Sequence, residues 1–297
     1  MSLASRDRPE ETEVEGSRAP LLDHLKELRQ RLIICVAALI VGFMVCFYFS
    51  DRIYLFLLRP FEVGAILMAA ERSGVPHGPF DFLLALLGFR ELPNVRVPNL
   101  NLIFTAPLEF FMTKVRLAGF GAIIIGFPVL AWQLYRFVAP GLYRREKGAF
   151  LPFLLASPVL FAMGAALVYY IMLPFVLWFS LNQQITTGTA VTVQLLPRVS
   201  DYLTLVTTLV LAFGLCFQLP VVLALLAVAG IVNSELLAKG RRYAIVGIFI
   251  VAAIVTPPDP VSQITLAIPI ILLYEVAILC VKLIELRRKR DGAAAAA

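Results

Sequence analysis

The chain has 297 residues, of which 60% are apolar and 15% charged, with a mean hydropathy of +0.86 and a formal net charge of +6. That balance excludes a water-soluble domain and defines an integral membrane protein. Cys35, Cys46, Cys216 and Cys280 sit singly in apolar stretches, so no CxxC zinc site or disulfide framework is indicated. His24 and His77, both outside the apolar spans, leave little material for haem ligation or histidine-based catalysis.

Residues 1–20 mix Asp7, Glu10, Glu11, Glu13 and Glu15 with Arg6, Arg8 and Arg18, lack the apolar core of a signal peptide and read as a disordered tail. From Leu21 the leucines at 21, 22, 25, 28 and 32 recur at three- and four-residue steps, which predicts an amphipathic helix lying along the membrane face before the chain turns in. The first crossing, residues 32–49, reaches about 27 Å, close to the hydrocarbon thickness. Residues 50–106 follow as a long external loop, whose FLLALLGF run at 82–89 is too short to cross and reads as a capping or interfacial segment.

Further crossings are expected at 117–138, 150–181 and 202–232, with Pro128, Pro158, Pro174 and Pro220 inside them. The fifth covers 243–255 and is short, about 20 Å, because Thr256, Pro257, Pro258, Asp259 and Pro260 end it. The sixth covers 261–281, and a basic tail follows over 287–297. Four basic clusters, before residue 32, at 136–147, at 239–242 and after 281, hold 18 of the 26 Lys and Arg residues. They fall on one side only if there are six spans with both termini cytoplasmic, which defines an all-α membrane domain over 21–286.

Three runs, in this order, carry a resemblance: HLKELRQRL at 24–32, FPVLAWQLYRFVAPGLYRREK at 127–147 and TPPDPVSQITLAIPIILLYE at 256–275. Together they resemble the TatC family, the multispanning receptor subunits of the twin-arginine protein translocase. The resemblance covers roughly residues 21–286. It implies a receptor that binds the twin-arginine signal peptides of folded precursors at the cytoplasmic face of the bacterial inner membrane. It further implies partnership with TatA and TatB, homo-oligomerisation within a receptor complex, export driven by the protonmotive force, and no cofactor, metal or nucleic acid.

By the same resemblance Glu27 and Glu146 are the carboxylates that recognise the arginine pair, and Pro60, Pro128, Phe137 and Leu142 stand at positions where the family signatures carry those residues. A guanidinium presents a planar fork to a carboxylate, so two arginines call for two carboxylates and lysine fits less well. Phe137, Leu142 and Tyr143 are placed to form an apolar floor that lowers the local dielectric. Arg29 and Arg31 would repel an arginine ligand and are assigned to positioning the glutamate, binding lipid phosphate or fixing topology. The residues alone leave a simpler alternative open: Glu27 pairs with Arg31 in the favoured acid-first i,i+4 order, worth a few tenths of a kcal/mol, and Glu146 merely offsets its basic loop.

Within the bilayer Gln218 and Glu275 stand out, since polar groups there are costly and are usually partnered. Many family members carry glutamate where this chain reads Gln218 before Leu219 and Pro220; the amide and its neighbouring proline are expected to contact TatA or TatB. Glu275 is expected to be neutral, bonded to a neighbouring helix or in contact with a partner subunit. Asp259 either caps the sixth helix or serves an external-side role. Two other classes, a small-solute secondary transporter and a membrane enzyme, call for paired repeats or clustered catalytic side chains that the chain does not display.

Overall fold

The computed structural model describes residues 9–74, 81–89, 102–142, 147–183, 197–255 and 260–296. Ten α-helices occupy almost all of them: α1 (Pro9–Tyr48), α2 (Ser50–Arg72), α3 (Asp81–Leu86), α4 (Glu109–Leu142), α5 (Lys147–Leu167), α6 (Leu173–Asn182), α7 (Val199–Cys216), α8 (Leu219–Val228), α9 (Ser234–Val255) and α10 (Pro260–Ala296). One parallel bridge, Ile103 to Arg198, is the sole strand-like pairing among the described residues.

α1 is continuous from Pro9 to Tyr48, with no turn between the expected interfacial helix and the first span. α1 packs antiparallel on α4 through small residues: a Cβ added at Gly42 would lie 3.2 Å from the Ala122 Cα, and one at Gly121 would lie 2.6 Å from the Cys46 Sγ. Such close backbone approach supplies van der Waals contact where lipid removes the hydrophobic drive for helix association. The opposite face of α1, with Ile33, Ile40, Val41 and Met44, is exposed.

α5 leads into α6 through a π turn, Val168–Met172, closed by the Leu173 N–H donating to the Val168 carbonyl. Pro174 follows directly, and its missing N–H is the local cause of the widened turn. α7 stops at Cys216 and α8 restarts at Leu219, one residue before Pro220, so the fourth crossing is two helices with a joint at Phe217 and Gln218. α5 meets α7 closely: a Cβ at Gly164 would lie 2.8 Å from the Phe213 carbonyl oxygen and one at Gly214 2.5 Å from the Phe161 ring. Phe213, Leu209, Val206, Leu173 and Val168 at this contact are fully buried and form the centre of the core.

The 50–106 segment departs from its expected form. Instead of a loop with one short helical run, it opens with a 23-residue helix, α2, that starts two residues after α1 ends. Pro60 and the charges at Arg52, Arg59 and Glu62 interrupt its apolar pattern in the sequence. α2 lies across the ends of other helices: Tyr202, near the start of α7, donates its hydroxyl to the Leu57 carbonyl at 2.7 Å, and Gly64 abuts Phe82 and Leu181, the latter near the end of α6. It is therefore a cap, with Leu57, Leu58, Phe61, Val63 and Leu67 buried while Leu55 and Phe56 stay exposed. Beside it the Glu109 carboxylate accepts the Thr105 and Ala106 backbone N–H groups and the Ser200 hydroxyl, tying the starts of α4 and α7 together.

Among the described residues six helical stretches are long and apolar enough to cross a membrane, matching the expected number. Their membership differs by one: α2 meets the length and composition criterion, whereas α9 does not, since Lys239, Arg241 and Arg242 occupy its first half. The fifth helix is thus 22 residues long, and only its apolar part, after Arg242, is short. α9 packs along α10, where Ser234 is capped by Glu285 through contacts of 2.8 and 2.6 Å. The α1 segment around Arg31, the end of α4 and the α9 start against the later part of α10 all sit at the end of the bundle opposite the α2 cap.

Candidate functional site

At the uncapped end, the register of α1 against α4 brings the HLKELRQRL run beside the QLYRF run. Arg31 Nη1 donates to the Gln133 carbonyl at 3.4 Å, and Arg31 Nη2 donates to Glu27 Oε1, forming the i,i+4 ion pair that the acid-first spacing allows. Arg31 is nearly enclosed, its side chain 13% exposed, whereas Glu27 keeps 41% of its side chain accessible. The arginine is a brace clamped to α4, and it engages only one oxygen of the carboxylate. Its Nε has no partner among the described residues.

The antiparallel register that sets Arg31 beside Gln133 sets Glu27, one turn earlier, level with Phe137, which is half-buried. Arg29 is exposed on α1. Leu142 is the last residue of α4, at this same end, and Glu146 lies outside the described residues, four positions beyond it in the chain. Pro128 is also on α4 and exposed, but nine residues short of Phe137, about 14 Å along the axis. Pro60 is elsewhere altogether: it is fully buried in α2, at the opposite end of the bundle, so it does not join Glu27 in one surface.

The intramembrane polar residues are satisfied within the chain. Gln218 is buried, and both ends of its amide meet α5: the Ser157 hydroxyl donates to Gln218 Oε1 at 2.6 Å, and Gln218 Nε2 donates to the Ser157 carbonyl at 2.9 Å. Tyr135 of α4 donates its hydroxyl to Ser157 Oγ at 3.4 Å, extending the link to a third helix. The joint before Pro220 turns the amide inward, towards α5. Pro220 is buried in the same place. Glu275 is bonded to a neighbouring helix, accepting from Arg241 Nη2 of α9 at 2.8 Å. Asp259 lies outside the described residues.

Sequence reasoning missed Ser157, Tyr135 and Arg241. Ser157 and Tyr135 carry a usable signal, being polar groups in apolar spans that also contain a proline; the pairing of Ser157 with Gln218, 61 positions apart, has none. Among the described residues no three His, Cys, Asp or Glu side chains gather into a set that could hold a metal ion.

Fold and site define a polytopic α-helical membrane protein with a charged, half-exposed end and a capped opposite end. A family model described as Sec-independent protein translocase protein (TatC) matches residues 23–269. The TatC protein of Magnetococcus marinus is 41% identical over 93% of this chain and 89% of its own length, and that of Rickettsia prowazekii is 39% identical over 90% and 94%. A crystal structure of the twin-arginine translocase receptor TatC superposes with a TM-score of 0.67 and 35% identity, over 88% of this chain and 98% of that one. The chain belongs to the TatC family of Sec-independent protein translocase proteins.

Proposed function

We propose that this TatC protein is the receptor and core subunit of a twin-arginine translocase, and that it binds the signal peptides of folded precursors through its uncapped end. In this reading that end, with both termini, faces the cytoplasm of a bacterium whose inner membrane holds the protein. Glu27 and Glu146 each take one guanidinium of the arginine pair, with Phe137 and Leu142 as the apolar floor beneath the residues that follow. Arg29 lies on the same helix and serves to position the glutamate, bind lipid phosphate or fix topology. Asp259 serves at the opposite face. TatA and TatB join the receptor, copies of the chain associate with one another, and the protonmotive force drives transport.

The observation that carries the reading is the state of Glu27. A carboxylate that is held by one donor, nearly half exposed and level with an aromatic side chain has acceptor capacity left for an incoming fork. Partial shelter raises the interaction above the 0 to 1 kcal/mol of a fully exposed pair. The test is site-specific photo-cross-linking of a twin-arginine precursor to Glu27→Gln and Glu146→Gln variants that insert and assemble normally. Reduced yield from each supports the assignment, and undiminished yield from both removes it.

A further inference from the structure

The junction of α1 and α2 forms, with α4, α5 and α7, a half-open cavity of about 350 Å³ that no part of the signal-peptide reading uses. Its walls include Phe56 from α2, Phe120, Ile124 and Ile125 from α4, and Ala166 and Tyr170 around the π turn, and they present apolar surface. Phe56 is stacked on Tyr169 with ring centroids 4.4 Å apart and held there by the Tyr169 hydroxyl, which donates to the Phe56 carbonyl at 2.7 Å. The mouth lies between Phe56, Ile125 and Ala166, all exposed. Water needs two to four polar partners to be held in such a space and the walls offer none, so the space suits an apolar occupant.

The depth of the cavity follows from the charges around it. α4 has no charged residue between Arg116 and Arg136, and Lys114 of α4 pairs with Asp51 at the start of α2 at 2.5 Å, so these residues mark a membrane boundary. Arg116 shares a face of α4 with Phe120 and Ile124, and the cavity extends from it about 6 to 13 Å towards the bilayer centre. On α2, Arg52, Phe56 and Arg59 share one exposed face at i, i+4 and i+7. Arg52, Arg59 and Arg116 are exposed and make no ion pair with another described residue. Three guanidinium groups with no ion-pair partner among the described residues thus stand on the two helices, α2 and α4, that line this opening, near the membrane boundary.

We propose that this cavity is a binding site for an anionic glycerophospholipid, one acyl chain entering between Phe56, Ile125 and Ala166 and the phosphate meeting Arg52, Arg59 and Arg116. Each part matches one half of an amphiphile: guanidinium forks complement phosphate oxygens, and the apolar walls complement a methylene chain. A free phosphate or a water-soluble anion has no use for the cavity, and a neutral lipid has none for the rim. The π turn contributes by setting Tyr169 and Tyr170 side by side along one wall.

The test places a single tryptophan at the mouth of the cavity in the full-length protein. With Trp132→Phe and Trp178→Phe as background, Ile125→Trp is reconstituted into phosphatidylcholine vesicles containing increasing fractions of chain-brominated phosphatidylglycerol or chain-brominated phosphatidylcholine; Ala166→Trp is a second reporter. The expected result is half-maximal quenching at a mole fraction of brominated phosphatidylglycerol at least about fivefold lower than for the phosphatidylcholine. Arg52→Gln, Arg59→Gln and Arg116→Gln combined should bring the two curves together while quenching by phosphatidylcholine persists. Coincident curves in the parent would overturn the proposal, as would an absence of quenching by either lipid at both reporters, the sign of a cavity filled by protein.

Discussion

Two polar pairs, one at the uncapped end and one in the middle of the bundle, are built on opposite principles. Ser157 and Gln218 are neutral, buried and doubly bonded to each other. Glu27 and Arg31 are charged, the acid is 41% exposed, and a single contact joins them. The first arrangement leaves the amide little to offer a partner and holds helices together at the α7–α8 joint; the second leaves a carboxylate oxygen spare. In a bilayer, saturation marks a structural polar group, and incomplete saturation near water marks one that reads a ligand.

The largest effect that would sharpen this contrast is on binding. Glu27→Gln should weaken a twin-arginine peptide by roughly 10- to 100-fold, the equivalent of a charge-assisted bond of about 1.5 to 3 kcal/mol, while the thermal unfolding of the detergent-solubilised protein stays unchanged. Ser157→Val should do the reverse. It strands the Gln218 amide and should cost about 1 to 3 kcal/mol in stability without altering peptide affinity, and Ser157→Val with Gln218→Leu should recover much of the loss. A double variant no more stable than Ser157→Val alone would break the comparison, because the pair would not be an isolated unit.

Smaller changes probe the brace and the clasp. Arg31→Lys keeps the charge but loses the fork that spans Glu27 and Gln133, and a few-fold loss of peptide affinity is expected, read by titration with a labelled peptide. An affinity gain would show instead that Arg31 competes with the ligand for the carboxylate. Least of all, Glu275→Gln should change the unfolding temperature only slightly, because its pair with Arg241 is about half exposed and such pairs contribute about 0 to 1 kcal/mol.

The crossings were legible because apolar length is written locally, and α1, α4, α7 with α8, and α10 stand where hydropathy and the proline positions indicate. α2 was not, because Arg52, Arg59, Glu62 and Pro60 break the local pattern while its burial comes from helix ends far away in sequence. The position of Glu27 was readable, but its brace to Gln133 spans 102 positions and depends on the close approach at Gly42 and Gly121. Gln218 was recognised as exceptional, but its bonds to Ser157, 61 positions away, were not legible for the same reason: hydropathy reports depth, and packing decides which way a side chain at that depth turns.

The widened turn at Val168–Met172 bears on how this span tolerates change in length. An α-helix shortened by one residue rotates everything beyond the cut by about 100°, swinging lipid-facing side chains into the core. A π turn already absorbs one surplus residue, so removing one there would let an ordinary ladder form while Leu177 and Leu181 keep their buried orientation. Among the crossing helices this stretch is the natural place for relatives to differ by a single insertion or deletion without losing the bundle.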